Sequence, residues 1–171
     1  RLSEIKGYSF LIQALLAVKN DYPSIKLLIV GDGELKSELK ELVAKSKLND
    51  NVIFCGNQQK VAVFYDISEF TIISSFWEGL GVSAIESIML EKPVIATKVG
   101  GLPEIIENNM NGLLVPPKDS NALAEAIKYL LSNPQLVKEM GIIGKKIVQE
   151  KFTLEKMLQD YLDYYTSVAY F

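Results

Sequence analysis

The 171-residue chain contains no histidine and only one cysteine, Cys55. A disulfide framework within the chain is therefore excluded, and a cytoplasmic setting is the expectation. Zinc sites built on histidine and cysteine clusters are excluded. So is any Ser-His or Cys-His catalytic pair supplied by this chain alone. No apolar run approaches the ~18 residues that suggest a membrane span. An excess of positive charge is missing too. With 18 Lys+Arg against 21 Asp+Glu, the net charge of −3 argues against a general nucleic-acid surface, while leaving room for a local basic pocket. The chain opens at Arg1 instead of methionine, which reads as a piece of a longer protein whose leader or further domain is not legible here.

What is present is the composition of a folded domain. Hydrophobic residues make up 49% and charged residues 23%, enough at this length for one domain over residues 1–171 with a sizeable core. Short apolar runs end in turn residues. Leu27–Val30 ends at Gly31-Asp32-Gly33, Val52–Cys55 at Gly56, Phe70–Ile73 at Ser74-Ser75, Pro93–Thr97 at Gly100-Gly101, and Gly112–Val115 at Pro116-Pro117. Runs that do not alternate suit strands buried on both faces. Between them, apolar residues at helical spacing mark one helix by Phe10, Leu11, Ala14, Leu15 and Val18, and a second by Leu35, Leu39, Leu42 and Val43. A third is marked by Ala122, Ala126, Ile127, Leu130 and Leu131, capped by Asp119 or Ser120, and a last helix runs from about Leu154 toward Val168. Strands alternating with helices predict an α/β fold, a Rossmann-like doubly wound parallel sheet flanked by helices, with its ligand beyond the carboxyl ends of the strands.

Four constellations stand at those ends. Glu78-Gly79-Leu80-Gly81 precedes a helix expected to start near Val82, with Glu86 in or near its first turn. Glycines there admit close backbone approach, and the helix N-terminus favours an anion. The same residues also fit a capping box, Ser75-x-x-Glu78, with Glu86 complementing the helix dipole. Arg1 and Lys6 could neutralise a diphosphate or be ordinary surface charge. Gly31-Asp32-Gly33 is either a tight turn or a ligand contact; its spacing is not that of a dinucleotide fingerprint, which disfavours a dehydrogenase. Gly100-Gly101, ahead of Pro103 and Glu104, is equally open between a ligand loop and a helix start. The lone tryptophan, Trp77, suits a core or pocket wall more than ring stacking. Cys55 on its apolar strand reads as a small buried hydrophobe.

The ordered set resembles the C-terminal domain of glycosyltransferase family 4 over nearly the whole chain. Arg1-Leu-Ser-Glu-Ile-Lys6-Gly7, Leu28–Glu34, Val52–Gly56, the spacing from Glu78 to Glu86 with its internal Gly-x-Gly, Pro93–Thr97, Gly100–Ile105 and Asn111–Val115 each match a motif of that family in sequence order. The resemblance implies the C-terminal half of a GT-B fold, with the donor held between two Rossmann-like domains. It also implies a retaining transfer from a UDP-, GDP- or ADP-sugar, with no metal and no other cofactor. The chain has no D-x-D motif. By position, the resemblance makes Arg1, Lys6 and Glu78 catalytic: the two cations stabilise the leaving group, and Glu78 holds donor-sugar hydroxyls. Glu86 would take the ribose. Gly31, Gly33, Gly56, Gly79, Leu80, Gly81 and Val82 complete the donor contacts.

The resemblance further implies an N-terminal acceptor domain not contained in the chain, without which the piece is inactive. A sugar or lipid-linked acceptor is expected, with membrane contact, if any, through that other half at the inner face of the plasma membrane. The family has a central strand just before its Arg-Leu opening, so a chain that starts at Arg1 is either trimmed or carries a gap in its sheet. Glu91 stands where the family has a helix-ending glycine, which predicts a different helix stop. Glu69 and Ser74 also depart from the pattern. The aromatic stretch Tyr161, Tyr164, Tyr165, Tyr170 and Phe171 packs either on the missing half or within this domain. A non-catalytic sugar-nucleotide-binding module, a glycosidic phosphorylase and a sugar-nucleotide epimerase are the alternatives; the last two lack their expected lysine pattern and histidine here.

Overall fold

The apolar runs become five parallel strands. In the computed structural model, which describes residues 1–168, these are β1 (Leu27–Val30), β2 (Val52–Gly56), β3 (Thr71–Ile73), β4 (Val94–Thr97) and β5 (Gly112–Val115). Eight helices intervene: α1 (Tyr8–Lys19), α2 (Lys36–Lys45), α3 (Ala62–Asp66), α4 (Val82–Met89), α5 (Leu102–Ile105), α6 (Ser120–Ser132), α7 (Pro134–Lys151) and α8 (Leu154–Val168). The chain is thus α/β with parallel strands flanked by helices, as its pattern predicts. Of the two expected caps of α6, Asp119 is the one used: its carboxylate accepts the Ala122 N–H at 2.9 Å. That cap is worth about 1 kcal/mol.

Alternation along the strands sorts the core into layers. In β4, Ile95 packs toward α1 and α6, while Val94 and Ala96 pack toward α4 and α5. In β5, Leu113 and Val115 take the first side and Leu114 the second. All four residues of β4 are buried, as a strand covered on both faces must be.

The sheet is divided. β1 pairs with β2, and β4 lies between β3 and β5, but no ladder joins β1 to β3. A slot therefore separates β1 from β3. A cavity of about 870 Å³ occupies it, lined by β1, β3 and by Leu11 and Leu15 of α1. Helix α1 holds the two parts together by facing both: Leu11, Ala14 and Val18 join the core over β4 and β5, whereas Ile12 and Leu15 join the core of β1, β2 and α2. Each such buried leucine, isoleucine or valine side chain contributes roughly 1.5–3 kcal/mol.

Two helices escape the periodic reading. α3 is only five residues long. α7 is interrupted on its packing side by buried Gly141 and Gly144, where it crosses the end of α4. That crossing also corrects the expectation of a different helix stop. Glu91 adopts the left-handed conformation (φ 59°) itself, the Lys92 N–H donates to the Ser87 carbonyl at 3.1 Å, and Lys145 pairs with Glu91 at 2.8 Å. The stop is the one a glycine would make, held in a glutamate by its surroundings. Helix α8 buries no residue; Leu154, Met157, Tyr161 and Tyr164 line a groove against Leu80 and Ile85, and much of the aromatic face stays exposed. Tyr170 and Phe171 lie outside the described residues. Among the described residues no helix is long and apolar enough to cross a membrane.

Candidate functional site

The strand ends carry the polar residues of the cavity. Lys6 closes a 3₁₀ turn, Glu4–Lys6, that Gly7 stops. This turn is fastened to the end of β3: the Phe76 N–H donates to the Ile5 carbonyl at 2.7 Å, and the Ser74 hydroxyl to the Lys6 carbonyl at 2.9 Å. Lys6 Nζ then donates to both carboxylate oxygens of Glu78, at 2.7 and 2.8 Å. The Glu78 side chain is only 12% exposed and that of Lys6 32%. Nearby, the Tyr8 hydroxyl is pushed above its usual pKa, first by burial and then by the Glu78 charge.

Glu78 does not cap α4, so the capping-box reading fails. The helix starts after Gly81, whose left-handed backbone (φ 79°) occupies the cap position, and no side chain caps it. The Glu78 loop rests on the second glycine pair instead. A Cβ at Gly100 would collide with the Glu78 carbonyl, and the Gly101 N–H donates to the Gly79 carbonyl at 2.8 Å. Gly100-Gly101 thus packs backbone on backbone beneath Glu78. Pro103 is the second residue of α5.

Glu86 is the fifth residue of α4, just past its first turn, near where it was expected. It accepts the Tyr65 hydroxyl at 3.1 Å on Oε2. Burial foremost, then the charge and hydrogen bond of Glu86, raise the pKa of Tyr65, so it remains a protonated donor. Arg1 reaches Glu34, with Nε 3.2 Å from Oε2, and its side chain is 75% exposed. The Glu34 carboxyl lies below its usual range, held first by its own backbone N–H and then by the Arg1 charge.

Arg1, Lys6, Gly31, Glu78 and Glu86 share the cavity wall; Gly33, Gly56, Gly79, Leu80, Gly81 and Val82 do not. Gly56 remains at the rim, where its carbonyl accepts the Gly31 N–H at 2.7 Å. At both Gly56 and Gly79 the space a Cβ would fill is open. Leu80 and Val82 face outward, and Leu80 belongs to the α8 groove. Trp77 is 67% exposed and off the cavity wall, contrary to the expectation of a core or pocket-wall position. Cys55 is half-buried, with its thiol pKa raised by burial.

Several wall residues are not among the ligand contacts expected from the sequence. Tyr65 sits on the short α3. The Ser75 hydroxyl is buried without a hydrogen-bond partner. Asn57 and Gln58 follow β2, with Gln58 Nε2 donating to the Cys55 carbonyl at 2.6 Å. Their only sequence signal is position just past a strand end. Among the described residues, no group of three or more cysteine and carboxylate side chains gathers as a metal ligand set. Chemically, the strand-end part of the wall offers the carboxylates of Glu78 and Glu86 as acceptors for hydroxyls, and the Lys6 ammonium and the Arg1 guanidinium for an anionic group.

The profile of the family described as glycosyl transferases group 1 matches residues 1–147. N-acetyl-alpha-D-glucosaminyl L-malate synthase of Bacillus anthracis is 30% identical over 165 residues, 96% of this chain and 43% of that protein. The structure of HepE from Anabaena in complex with UDP superposes with a TM-score of 0.90 at 26% identity, covering 98% of this chain and 47% of that one. The C-terminal domain of the group 1 glycosyl transferase LpcC from Francisella tularensis superposes with a TM-score of 0.83 at 29% identity, covering 90% of this chain and 83% of that one. The chain spans less than half the length of the curated relatives it matches.

Proposed function

The chain belongs to the glycosyl transferases group 1 family, and from that premise we propose that it is the donor-binding part of a retaining, metal-independent glycosyltransferase of GT-B architecture. The single observation that carries this reading is the convergence of Lys6, Glu78 and Glu86 on one cavity at the strand ends. The likeness to HepE, which has been solved with UDP and with UDP-glucose, supports a nucleotide-diphosphate sugar as the ligand. Glu86 accepts the ribose hydroxyls and Glu78 those of the transferred sugar. Lys6 shares its ammonium between Glu78 and the diphosphate, and Arg1 turns from Glu34 to the same anion. As the bond from the anomeric carbon to the phosphate oxygen breaks, the electron pair stays on that oxygen, where the charges of Lys6 and Arg1 offset it; the acceptor hydroxyl oxygen bonds to the anomeric carbon, and its proton passes to the departing phosphate. Gly31 offers backbone from the cavity wall, and Gly33, Gly56 and the segment Gly79–Val82 offer theirs from the loops beside it. The acceptor, a glycan or a lipid-linked sugar, enters from a further domain of the protein, and the reaction takes place in the cytoplasm.

Calorimetric titration with UDP, GDP and ADP tests the reading. At least one nucleotide binds, and Glu86→Ala weakens it about tenfold or more, equivalent to ~1.4 kcal/mol. If none of the three binds, or Glu86→Ala leaves every affinity unchanged, the reading is wrong.

A further inference from the structure

We propose that Tyr65 is the positioning residue of the site: it fixes the carboxylate of Glu86 so that its other oxygen meets the ribose, and thereby sets the preference for ribonucleotides. This rests on the donor-binding reading above. The Tyr65 hydroxyl has one proton and two acceptors within reach, Glu86 Oε2 at 3.1 Å and the Ser83 carbonyl at 3.4 Å. The nearer acceptor is also the charged one, which makes the stronger bond. Among the described residues no other donor meets either oxygen of Glu86, so Oε1 is left for a ligand. A glutamate alone on a helix surface has three side-chain torsions to settle; one fixed donor removes most of that freedom before the ligand arrives.

The donor itself is anchored. Tyr65 is half-buried, its ring lies on the cavity wall, and α3 is tied at both sides of its end. The Ser68 hydroxyl donates to the Phe64 carbonyl at 2.6 Å, and Lys92 Nζ to the Asp66 carbonyl at 3.0 Å. Lys92 belongs to the turn that closes α4, so the helix bearing the tyrosine and the helix bearing the glutamate are braced against each other. Tyr65 touches the ligand's partner, and it acts through that partner.

The experiment compares UDP, GDP or ADP, whichever binds the intact protein most tightly, with its 2′,3′-dideoxy analogue. Wild type prefers the ribonucleotide. Tyr65→Phe weakens the ribonucleotide roughly tenfold, the worth of a hydrogen bond to a charged group, and leaves the dideoxy analogue unchanged, with a melting curve showing the variant folded. Equal weakening of both ligands, or no weakening of either, overturns the proposal. If Glu86→Ala abolishes the ribose preference while Tyr65→Phe keeps it, Tyr65 alone is misassigned and the donor-binding reading survives. If wild type binds no nucleotide, or does not distinguish the two sugars, both fall.

Discussion

Replacing Lys6 by methionine tests what holds Glu78 in place. The ammonium lies 2.7 and 2.8 Å from the two carboxylate oxygens. At the effective dielectric of about 20 that suits such sites, charges at this separation attract by roughly 6 kcal/mol before desolvation is subtracted. Desolvation takes back most of it, because the Glu78 side chain is only 12% exposed. Removing one partner of a fully buried pair costs roughly 3–5 kcal/mol, and of an exposed pair about 0–1. Lys6 is 32% exposed, so water reaches the vacated position and the expected loss falls between these limits, at about 2 kcal/mol. For a chain of this size that lowers Tm by roughly 4–8 °C.

The assay is urea and thermal unfolding of wild type, Lys6→Met, Glu78→Gln and the double variant, followed by circular dichroism. Because the cost arises from a stranded carboxylate, Glu78→Gln in the Lys6→Met background recovers about 1 kcal/mol or more. Two outcomes refute the reasoning: a Lys6→Met variant within about 0.5 kcal/mol of wild type, as for an ordinary surface lysine, or a double variant equal to the sum of the singles.

Two further predictions come from strained or shifted groups. At Glu91 the left-handed backbone tolerates glycine but not a β-branched residue. Glu91→Gly therefore stays within about 0.5 kcal/mol of wild type, the relief of strain offsetting chain entropy and the exposed Lys145 pair, while Glu91→Val loses about 2 kcal/mol; equal effects in urea unfolding contradict the assigned stop. Tyr65, whose pKa is raised above its ordinary 10.0, stabilises the fold fully below that value and loses the contribution as pH rises through the folded one. Urea midpoints at about pH 9 and about pH 11 thus fall more for wild type than for Tyr65→Phe; parallel falls contradict the buried Tyr65–Glu86 contact.

The fold was legible wherever periodicity and punctuation agreed. β1, β2 and β5 start where their apolar runs start, and α1, α2 and α6 follow their spaced leucines and alanines. Phe70 and Pro93 fall outside the strands, but the Pro93 carbonyl still accepts the Thr71 N–H at 3.0 Å, so the apolar run continues past the ladder's formal end. α7 was not legible because its contact face is marked by absence: Gly141 and Gly144 sit where α7 meets Glu91, Asn111 and Ile88, and a close helix approach needs small residues that add nothing to an apolar pattern. α3 was not legible because five residues cannot display a helical period.

For the site, residue types were legible and partnerships were not. Glu78 and Glu86 look alike along the chain, eight positions apart at either side of one helix start. Their environments come from opposite directions. Lys6, 72 residues away, reaches Glu78 only because the opening turn is hydrogen-bonded to the end of β3. Tyr65, 21 residues away, reaches Glu86 where α3 packs beside α4, a contact that Lys92 bridges. A capping box and a helix dipole are local rules, and local rules predicted both glutamates to serve their own helix. Tertiary partners outcompete such rules when they are charged, or when burial makes a protonated donor permanent, and both conditions hold here. Arg1 likewise pairs with a partner that no local rule names, Glu34, 33 residues away.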